Sequence, residues 1–342
     1  MSDADSTFKR LIATVADGKS LSESEAVEAF NIMMSGEATP SQIAGFLIAL
    51  RIRGETVEEI TGAARIMREK ALKVSAPDDA IDVVGTGGDG AGTLNISTAT
   101  AIVVAGCGVP VAKHGNRAAS SKSGAADVLS ELGINLDADV PTVERAIREA
   151  GIGFLLAPAY HSSMRHVGPV RVEMGVRTIF NILGPLANPA SVKRLLVGTF
   201  ASEWVEPMAQ VLGNLGTERA WVVHGADGLD ELTITGPSSV AELADGKVTT
   251  RELSPSDAGL PTASLDDIKG GTPAENAQAI RDLLNGQKGA YRDIALYGAS
   301  AALLIAGKVE SLTDGVAAAA AAIDDGKAAA ALAKLVEITS GE

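Results

Sequence analysis

A glycine-rich turn that follows a short β-branched run is the part of this sequence best suited to chemistry. The apolar run Ile81–Val84 ends in Gly85-Thr86-Gly87-Gly88-Asp89, and Asn95-Ile96-Ser97-Thr98 then opens an apolar, helix-like segment. This order predicts a strand, a glycine loop and a helix N-terminus. Free backbone N–H groups and the positive end of a helix dipole favour phosphate there, and glycines let a ligand approach the main chain closely.

The same loop matches neither of the common nucleotide-binding motifs. It lacks Gly-x-x-x-x-Gly-Lys-Ser/Thr, and Gly85-x-Gly87 lacks the third glycine of a dinucleotide fingerprint. Ser97 and Thr98 can cap the helix or bind phosphate oxygens or a metal. A tight turn followed by a capped helix therefore stays open as an alternative for this stretch alone.

A second polar stretch runs from Lys113 to Gly124, KHGNRAASSKSG, directly after the strand-like residues VPVAK. The order predicts a position at the carboxyl end of a strand, where open α/β sheets bind their ligands. Its cations, amide and hydroxyls can clamp phosphates, and the small residues at 118–121 predict a loop that closes over a ligand. The alternative is a solvated loop that ends in an N-cap at Ser123.

Arg171 stands out in a third stretch because it lies four residues before Gly175 and can face a cleft from a helix. Its planar guanidinium suits a carboxylate, which it can bind through two hydrogen bonds. An ion pair with a nearby surface acid remains the alternative.

An acidic turn, HGADGLDEL, follows the strand-like RAWVV at residues 224–232. Side chains of the adjacent Asp230 and Glu231 would point to opposite sides of an extended chain, but in a loop they can bracket one or two metal ions. Mg²⁺ prefers one or two carboxylates together with phosphate oxygens and water. An acidic turn without a ligand is the alternative, and the four histidines show no zinc spacing with cysteine.

The chain shows two kinds of secondary-structure pattern, and the elements they predict must position these stretches. Residues 6–73 predict helices alone, with capping boxes at Ser22–Glu25, Thr39–Gln42 and Thr56–Glu59. From residue 81 strands and helices alternate, which indicates a largely parallel sheet with crossover helices. The predicted strands are 81–84, 109–113, 153–157, 194–200 and 219–224, and the predicted helices between them are 97–105, 123–132, 141–150 and 203–215. Short, antiparallel strands are expected within 231–253, and four helices within 274–338.

Composition narrows the classes of function. The 342 residues carry 43 acids against 29 Lys and Arg, a net charge of −14, which argues against non-specific nucleic-acid binding. The single cysteine, Cys107, excludes an intramolecular disulfide, fits a reducing compartment and is expected in the core. The N-terminus has no signal-peptide pattern and no apolar run would span a membrane, so we expect a soluble, cytoplasmic protein.

Taken together, the four stretches resemble the anthranilate phosphoribosyltransferase family. The segments GTGGD, NIST, KHGNR-x-x-SSKSG-x-ADVL-x-x-LG, R-x-x-x-G-x-R-T-x-FN-x-LGPL-x-NP and HG-x-DGLDE follow the family's order over nearly the whole chain. The resemblance implies transfer of the phosphoribosyl group of 5-phosphoribosyl 1-diphosphate (PRPP) to the amine of anthranilate. Pyrophosphate leaves, and N-(5-phosphoribosyl)anthranilate is formed for tryptophan biosynthesis.

The resemblance also implies an architecture. It is an α/β fold in which a small all-helical domain, residues 1–75 and 163–188, is hinged to a larger domain with a mostly parallel central sheet flanked by helices, residues 76–162 and 189–342. This is the fold type of nucleoside phosphorylases and phosphoribosyltransferases. Homodimers would form through the helical domain.

Site residues are likewise implied by the resemblance, with no side chain assigned as acid or base. Mg²⁺, as two ions, would bind Ser97, Asp230 and Glu231, and anthranilate would contact Gly85, Asn116 and Arg171. At position 125 this chain has alanine, which leaves only its backbone for a hydrogen bond. PRPP would be held by Gly85, Gly88, Asp89, Thr93, Asn95, Ile96, Ser97, Thr98, Lys113, His114, Gly115, Asn116, Arg117, Ala118, Ala119, Ser120, Ser121 and Ala125.

Two other functions stay open. A pyrimidine nucleoside phosphorylase shares this architecture but should differ at Asn116-Arg117 and would not need Asp230-Glu231 for a diphosphate. A non-enzymatic relative that binds nucleic acid would need a basic face, against the net charge of −14.

Overall fold

The computed structural model describes residues 3–117 and 122–341. Within those ranges an N-terminal group of helices precedes a seven-stranded, mostly parallel sheet covered by helices. The expected fold class is therefore confirmed. No helix in the described ranges combines the length and the apolar character needed to cross a membrane.

The N-terminal part is built from four helices whose starts follow the predicted capping boxes. At Ser22, Thr39 and Thr56 the hydroxyl accepts a hydrogen bond from the third helical residue, whose own side chain accepts from the N-cap N–H. All three predictions are confirmed, because such caps depend only on neighbouring residues. The helices are α1 (Asp3–Ala16), α2 (Glu23–Met34), α3 (Pro40–Arg53) and α4 (Val57–Lys70).

A later segment of the chain returns to these helices. Phe30 on α2 lies between two rings, with Phe46 of α3 at 6.0 Å and Phe180 at 5.7 Å between centroids. Phe180 therefore joins the aromatic core of the N-terminal helices. The returning segment contains α8 (Ala157–Tyr160), a 3₁₀ turn at Ser162–His166, α9 (Gly168–Met174) and α10 (Phe180–Leu183).

The sheet has the order β3-β2-β1-β4-β5-β6-β7, parallel from β3 to β5 and antiparallel at β6 and β7. After β1 the chain fills one side of the sheet with β2 and β3, then crosses to β4 on the other side of β1. This reversal opens a crevice at the carboxyl ends of β1 and β4. The strands are β1 (Ile81–Gly85), β2 (Val111–Gly115), β3 (Ile152–Leu156), β4 (Arg194–Gly198), β5 (Arg219–Gly225), β6 (Ser238–Ala244) and β7 (Lys247–Leu253).

Two cores lie on the two faces of the sheet. One joins Ile81 and Val83 to the C-terminal helices, and the other joins Val84 and Leu195 to the N-terminal helices without a break. The helices are α5 (Ile96–Gly106), α6 (Ala125–Glu131), α7 (Val140–Glu149), α11 (Val205–Asn214), α12 (Pro273–Leu284), α13 (Ala290–Ile305), α14 (Leu312–Asp324) and α15 (Lys327–Ser340).

Small residues allow the C-terminal helices to pack closely. A Cβ placed on Gly106 of α5 would lie 2.7 Å from the backbone of Ala328 in α15. Cys107 follows as the C-cap of α5 and is only partly buried. It packs against the core from this position at the helix end, partly exposed rather than enclosed.

Candidate active site

The candidate site lies at the carboxyl edge of the sheet, where β1, β2, β4 and β5 each end in glycine. The acidic turn after β5 passes directly over these ends. A Cβ on Gly85 would be 2.3 Å from Asp230 Oδ2, and one on Gly198 would be 1.5 Å from the Asp230 carbonyl oxygen. β1 and β4 therefore end in glycine because Asp230 occupies the space that a side chain would need.

The glycine loop after β1 uses conformations that other residues rarely adopt. Gly87 and Gly88 have φ values of +68° and +73°, in the left-handed region that glycine enters without strain. The Gly87 N–H donates to Asp230 Oδ2 at 2.7 Å, and Asp89 Oδ1 accepts from the Ala91 N–H at 3.1 Å. The loop is thus fixed by hydrogen bonds to its main chain.

Helix α5 begins directly after this loop, as predicted, but it is not capped by a hydroxyl. Its N-cap is Asn95, which makes no side-chain capping bond, and Ser97 and Thr98 lie inside the first turn. Ile96 is buried in the core, so only its backbone can meet a ligand. The capping role considered for Ser97 and Thr98 was wrong, since both residues come after the cap.

Asn95 instead ties three parts of the site together. Its Oδ1 accepts from Asn276 Nδ2 at 2.8 Å, and its Nδ2 donates to the Ser123 carbonyl at 3.2 Å. Its own carbonyl accepts from the Tyr291 hydroxyl at 3.1 Å. The sequence analysis missed Asn276 and Tyr291, because nothing local to residues 276 and 291 indicates that they reach residue 95.

Lys113 lies further inside its strand than predicted. The predicted strand ends at Lys113, whereas β2 continues to Gly115. The side chain is 2% exposed and donates from Nζ to the Val83 carbonyl at 2.6 Å and to Ser97 Oγ at 3.4 Å. Burial lowers the pKa of its ammonium, while Asp82 and Glu231 act in the opposite direction. The lysine is therefore a buried countercharge beneath the site.

Asp82, which the sequence analysis did not single out, is the buried partner of this lysine. Its carboxylate accepts from the His114 N–H at 3.1 Å and from Asn188 Nδ2 at 2.7 Å. Burial raises its pKa to about 6, against the opposing effect of Lys113. The sequence did contain a signal for this interaction, because an acid within an otherwise apolar strand needs a buried partner.

The acidic turn brings its carboxyl groups close to one another. Burial raises the pKa of Asp230 to about 7, and the charge of Asp89 and a hydrogen bond to it act in the same direction. Burial, followed by repulsion from Asp230, raises the pKa of Glu231 well above its ordinary value, while the Ser97 N–H and Lys113 oppose this. Two of the three predicted metal ligands, Asp230 and Glu231, therefore lie beside the glycine loop, and the third, Ser97, donates its N–H to Glu231.

The loop after β2 is anchored at both of its described ends. Asn116 Oδ1 accepts from the Arg117 N–H at 2.8 Å, and the Asn116 carbonyl accepts from the Ala126 N–H at 3.2 Å. Arg117 pairs with Asp127 at 3.1 Å. Gly124, not Ser123, is the N-cap of α6, which corrects the predicted cap, and Ala125 opens the helix. The predicted PRPP ligands Ala118, Ala119, Ser120 and Ser121 lie outside the described residues.

Two remaining predicted ligands hold structural positions. Thr93 forms an isolated antiparallel bridge with Lys269, and a Cβ on Gly270 would lie 2.3 Å from the Thr93 carbonyl oxygen. His114 lies next to Lys113 in β2, and its Nδ1 is 3.1 Å from the Gly184 carbonyl. Burial lowers the pKa of His114 to about 3, so the ring is neutral near pH 7.

Arg171 lies on α9, as predicted, and Gly175 ends that helix with φ of +62°. Its guanidinium carbon is 5.2 Å from the centroid of the Phe180 ring, and burial lowers its pKa. It forms no ion pair with an acid in the part of the chain that the structure describes. The alternative of a surface ion pair is therefore not what the structure shows.

Arg177 connects this segment to the glycine loop. The sequence analysis did not assign a role to this residue. Its Nη2 donates to the Gly88 carbonyl, and its guanidinium carbon lies 4.2 Å from the centroid of the Phe200 ring. The segment with Arg171 is thereby tied to the loop where PRPP is expected.

No three His, Cys, Asp or Glu side chains form a ready metal cluster in residues 3–117 or 122–341. This does not conflict with a Mg²⁺ site, because Mg²⁺ takes only one or two carboxylates from protein and completes its shell with phosphate oxygens and water.

Comparison with known proteins agrees with this architecture. The helical bundle domain of a glycosyl transferase family matches residues 9–71, and the α/β domain of a glycosyl transferase family matches residues 77–329. An anthranilate phosphoribosyltransferase of Parvibaculum lavamentivorans is 60% identical over 335 residues, which is 98% of each chain.

Solved structures lead to the same family. The anthranilate phosphoribosyltransferase of Thermus thermophilus matches with a TM-score of 0.92 at 45% identity, over 96% of this chain and 99% of that one. The enzyme of Saccharomyces cerevisiae in complex with PRPP and Mg matches with a TM-score of 0.89 at 28% identity, over 100% and 99% of the two chains. The chain therefore belongs to the anthranilate phosphoribosyltransferases, a family of glycosyltransferases.

Proposed function

We propose that this chain transfers the 5-phosphoribosyl group of PRPP to the amine of anthranilate, a step of tryptophan biosynthesis in which pyrophosphate is released. The observation that carries the proposal is an arrangement of charge. Paired carboxylates lie beside a glycine loop and a helix N-terminus, and a desolvated arginine lies on the segment tied to that loop.

The donor side would hold PRPP by its phosphates. The positive φ values of Gly87 and Gly88 shape the loop, and the first turn of α5 supplies N–H groups beside it. Lys113 contributes positive charge from below through its contact with Ser97 Oγ. Together these groups would stabilise the negative charge that develops on pyrophosphate as its bond to C1 breaks.

The carboxylates of Asp230 and Glu231, with Ser97, suit Mg²⁺. Burial raises the pKa values of both acids, with repulsion from Asp89 acting on Asp230 and repulsion from Asp230 acting on Glu231, so a cation at this position would relieve an unfavourable charge. Oxygen donors beside a phosphate site are the ligands that Mg²⁺ prefers. Bound Mg²⁺, which we propose as two ions, would neutralise charge on the diphosphate.

The acceptor side would recognise anthranilate through its carboxylate. Arg171 presents a planar, charged donor in a desolvated setting, and bidentate binding would fix the ring and the ortho amine. Holding the amine against C1 makes the reaction effectively intramolecular. The amine is a weak base, so its proton would leave late, to water or to a phosphate oxygen, and no side chain is assigned as a general base.

A homodimer, a division into two domains and a cytoplasmic location form a further part of the proposal. Ile52 on α3 and Val172 on α9 are large apolar side chains that are 82% and 83% exposed, and large exposed apolar surface is typical of interaction sites. They support a homodimer through the helical part, residues 1–75 and 163–188, with residues 76–162 and 189–342 as the α/β domain. The lone cysteine fits the reducing cytoplasm.

Loss of anthranilate fluorescence is the direct test. We expect the signal to fall only when the chain, PRPP and Mg²⁺ are all present. A chain that leaves anthranilate unchanged but cleaves a pyrimidine nucleoside with inorganic phosphate would overturn the proposal in favour of a nucleoside phosphorylase. DNA binding without either activity would favour the non-enzymatic alternative.

A further inference from the structure

The glycine loop is held from two sides by side chains of opposite charge. Asp230 of the α/β part accepts the Gly87 N–H at 2.7 Å. Arg177, from the segment that returns to the helical part, donates to the Gly88 carbonyl. Because a peptide unit is planar and trans, fixing the Gly88 carbonyl also fixes the direction of the next N–H, that of Asp89.

Arg177 is itself fixed by contacts with two other parts of the chain. Its guanidinium stacks over Phe200, which follows β4, with 4.2 Å between the guanidinium carbon and the ring centroid. The Phe200 N–H in turn donates to Thr86 Oγ1 in the glycine loop at 3.0 Å. The Arg177 carbonyl accepts from Arg51 Nη1 on α3. These contacts form a closed circuit from the loop through Phe200 and Arg177 back to the loop.

The circuit of contacts reduces the conformational freedom of the glycine loop. Glycine loses more conformational freedom on being fixed than any other residue, and four glycines of this loop, at 87, 88, 90 and 92, have positive φ. A loop that is ordered before its ligand arrives does not lose that freedom on binding. Contacts that hold the empty loop therefore strengthen phosphate binding without touching the phosphate.

We infer that Arg177 is a positioning residue, which holds the Gly88 peptide in its PRPP-binding orientation and tethers the glycine loop to the segment that carries Arg171. This inference rests on the proposed function, since it assigns PRPP to the loop. The role requires both a charged donor and a flat face, because the guanidinium donates to a carbonyl while it stacks on a ring. Lysine offers only the charge.

Calorimetric binding of PRPP with Mg²⁺ tests the inference directly, because it needs no turnover. We expect Arg177→Ala to raise the PRPP Kd about tenfold, from the loss of a hydrogen bond to a charged donor. Arg177→Lys should lie between Arg177→Ala and the wild type. Arg148→Ala, at an exposed arginine of α7 outside either proposed substrate site, is the matched control and should bind as the wild type does.

Phe200→Leu extends the test to the stacking platform. It should raise the PRPP Kd by a smaller factor, and the double variant Arg177→Ala/Phe200→Leu should bind no more weakly than Arg177→Ala, because both changes break one circuit. In steady state the KM for PRPP should rise in Arg177→Ala while the anthranilate KM at saturating PRPP stays within about twofold.

The outcomes separate the inference from the proposed function. An Arg177→Ala protein that melts like the wild type and binds PRPP equally well would overturn the inference. Equal weakening for both substrates together with a lowered melting temperature would also overturn it, since it indicates a merely structural role. If Arg177→Ala does not fold, Arg177→Lys and Phe200→Leu must both raise the Kd. A wild-type chain that leaves anthranilate unchanged would instead overturn the proposed function.

Discussion

The two proposed substrate sides of the site, for PRPP and for anthranilate, carry perturbed groups of opposite charge. On the donor side Asp230 and Glu231 lie close together, and their pKa values are raised by burial and by neighbouring acids. On the acceptor side Arg171 is desolvated, rests on an aromatic ring and forms no ion pair with a described acid. Lys113 opposes the charge of Glu231 only in part, no described acid pairs with Arg171, and perturbed groups of this kind are typical of functional sites. Under the proposed function, Mg²⁺ would supply the countercharge for the carboxylates, and the carboxylate of anthranilate would supply it for Arg171.

Removing the donor-side charge should have the largest effect. We expect Asp230→Ala/Glu231→Ala to lower Mg²⁺-dependent kcat/KM for PRPP by about 10³-fold or more, because a single group that stabilises developing charge contributes 10²–10³-fold. Steady-state rates over a range of Mg²⁺ concentrations measure this loss. A wild-type rate at limiting Mg²⁺ would show that the carboxylates are not ligands.

The isosteric variant Asp230→Asn/Glu231→Gln serves as the control for folding. Raised carboxyl pKa values mean that the folded chain holds protons that the unfolded chain has released, so stability falls as pH rises from about 4 towards 7. At pH 8 without Mg²⁺ the neutral variant should therefore melt no lower than the wild type. Added Mg²⁺ and PRPP should raise the melting temperature of the wild type alone.

Lys113→Met should weaken both stability and donor binding. The ammonium is buried and is attracted by the charges of Asp82 and Glu231, and removing one of a set of interacting buried charges typically costs about 3 kcal/mol. We expect this loss in the free energy of unfolding from urea titrations, together with a raised KM for PRPP and a little-changed anthranilate KM. Asp82→Asn in the same chain should restore part of the stability. Unchanged stability and PRPP affinity in Lys113→Met would contradict the countercharge role.

Arg171→Ala should affect the acceptor side alone. A hydrogen bond to a charged group is worth about 1.5–3 kcal/mol, so the anthranilate KM should rise roughly ten- to a hundredfold. Arg171→Lys should recover only part of this, because a point charge cannot bind both carboxylate oxygens in a fork. Varying each substrate separately measures the split. A raised PRPP KM with an unchanged anthranilate KM would show that Arg171 acts on the PRPP side and not on anthranilate.

A smaller effect is expected from a buried histidine beside the donor side. Burial lowers the pKa of His161 from 6.5 to about 4, so below pH 6.5 the unfolded chain takes up a proton that the folded chain refuses. Stability is then fully present above pH 6.5 and is lost on acidification, by about 2 kcal/mol per such histidine at pH 5. His161→Gln should reduce the slope of the unfolding free energy against pH between about pH 5 and 6, by the equivalent of about one proton taken up on unfolding. An unchanged slope would show that His161 takes up its proton equally in both states.

Local sequence signals predicted the elements well. The three N-terminal capping boxes are confirmed at Ser22, Thr39 and Thr56, because each depends on residues three positions apart. The five predicted parallel strands agree with β1 to β5 within a few residues. The antiparallel strands expected in 231–253 are β6 and β7, and four helices fill 273–340 as predicted.

Features that depend on distant contacts were not predictable from these signals. Lys113 was predicted as the last residue of its strand because VPVAK looks complete at 113, yet pairing with β3 continues to Gly115. Asn276 reaches Asn95 and Arg177 reaches Gly88 only because the fold brings together residues far apart in sequence. The glycine at 198 reflects a clash with Asp230 that only the folded chain reveals.

Separate binding measurements for the two substrates test the central claim of two independent charge imbalances most directly. Calorimetry with PRPP and Mg²⁺, and fluorescence titration with anthranilate, should be performed on Arg171→Ala and on Asp230→Asn/Glu231→Gln. The account predicts that Arg171→Ala loses anthranilate affinity by at least about tenfold and keeps its PRPP affinity within about twofold, while the carboxylate variant loses Mg²⁺-dependent PRPP binding. Loss of PRPP binding in Arg171→Ala, with anthranilate binding intact, would contradict it.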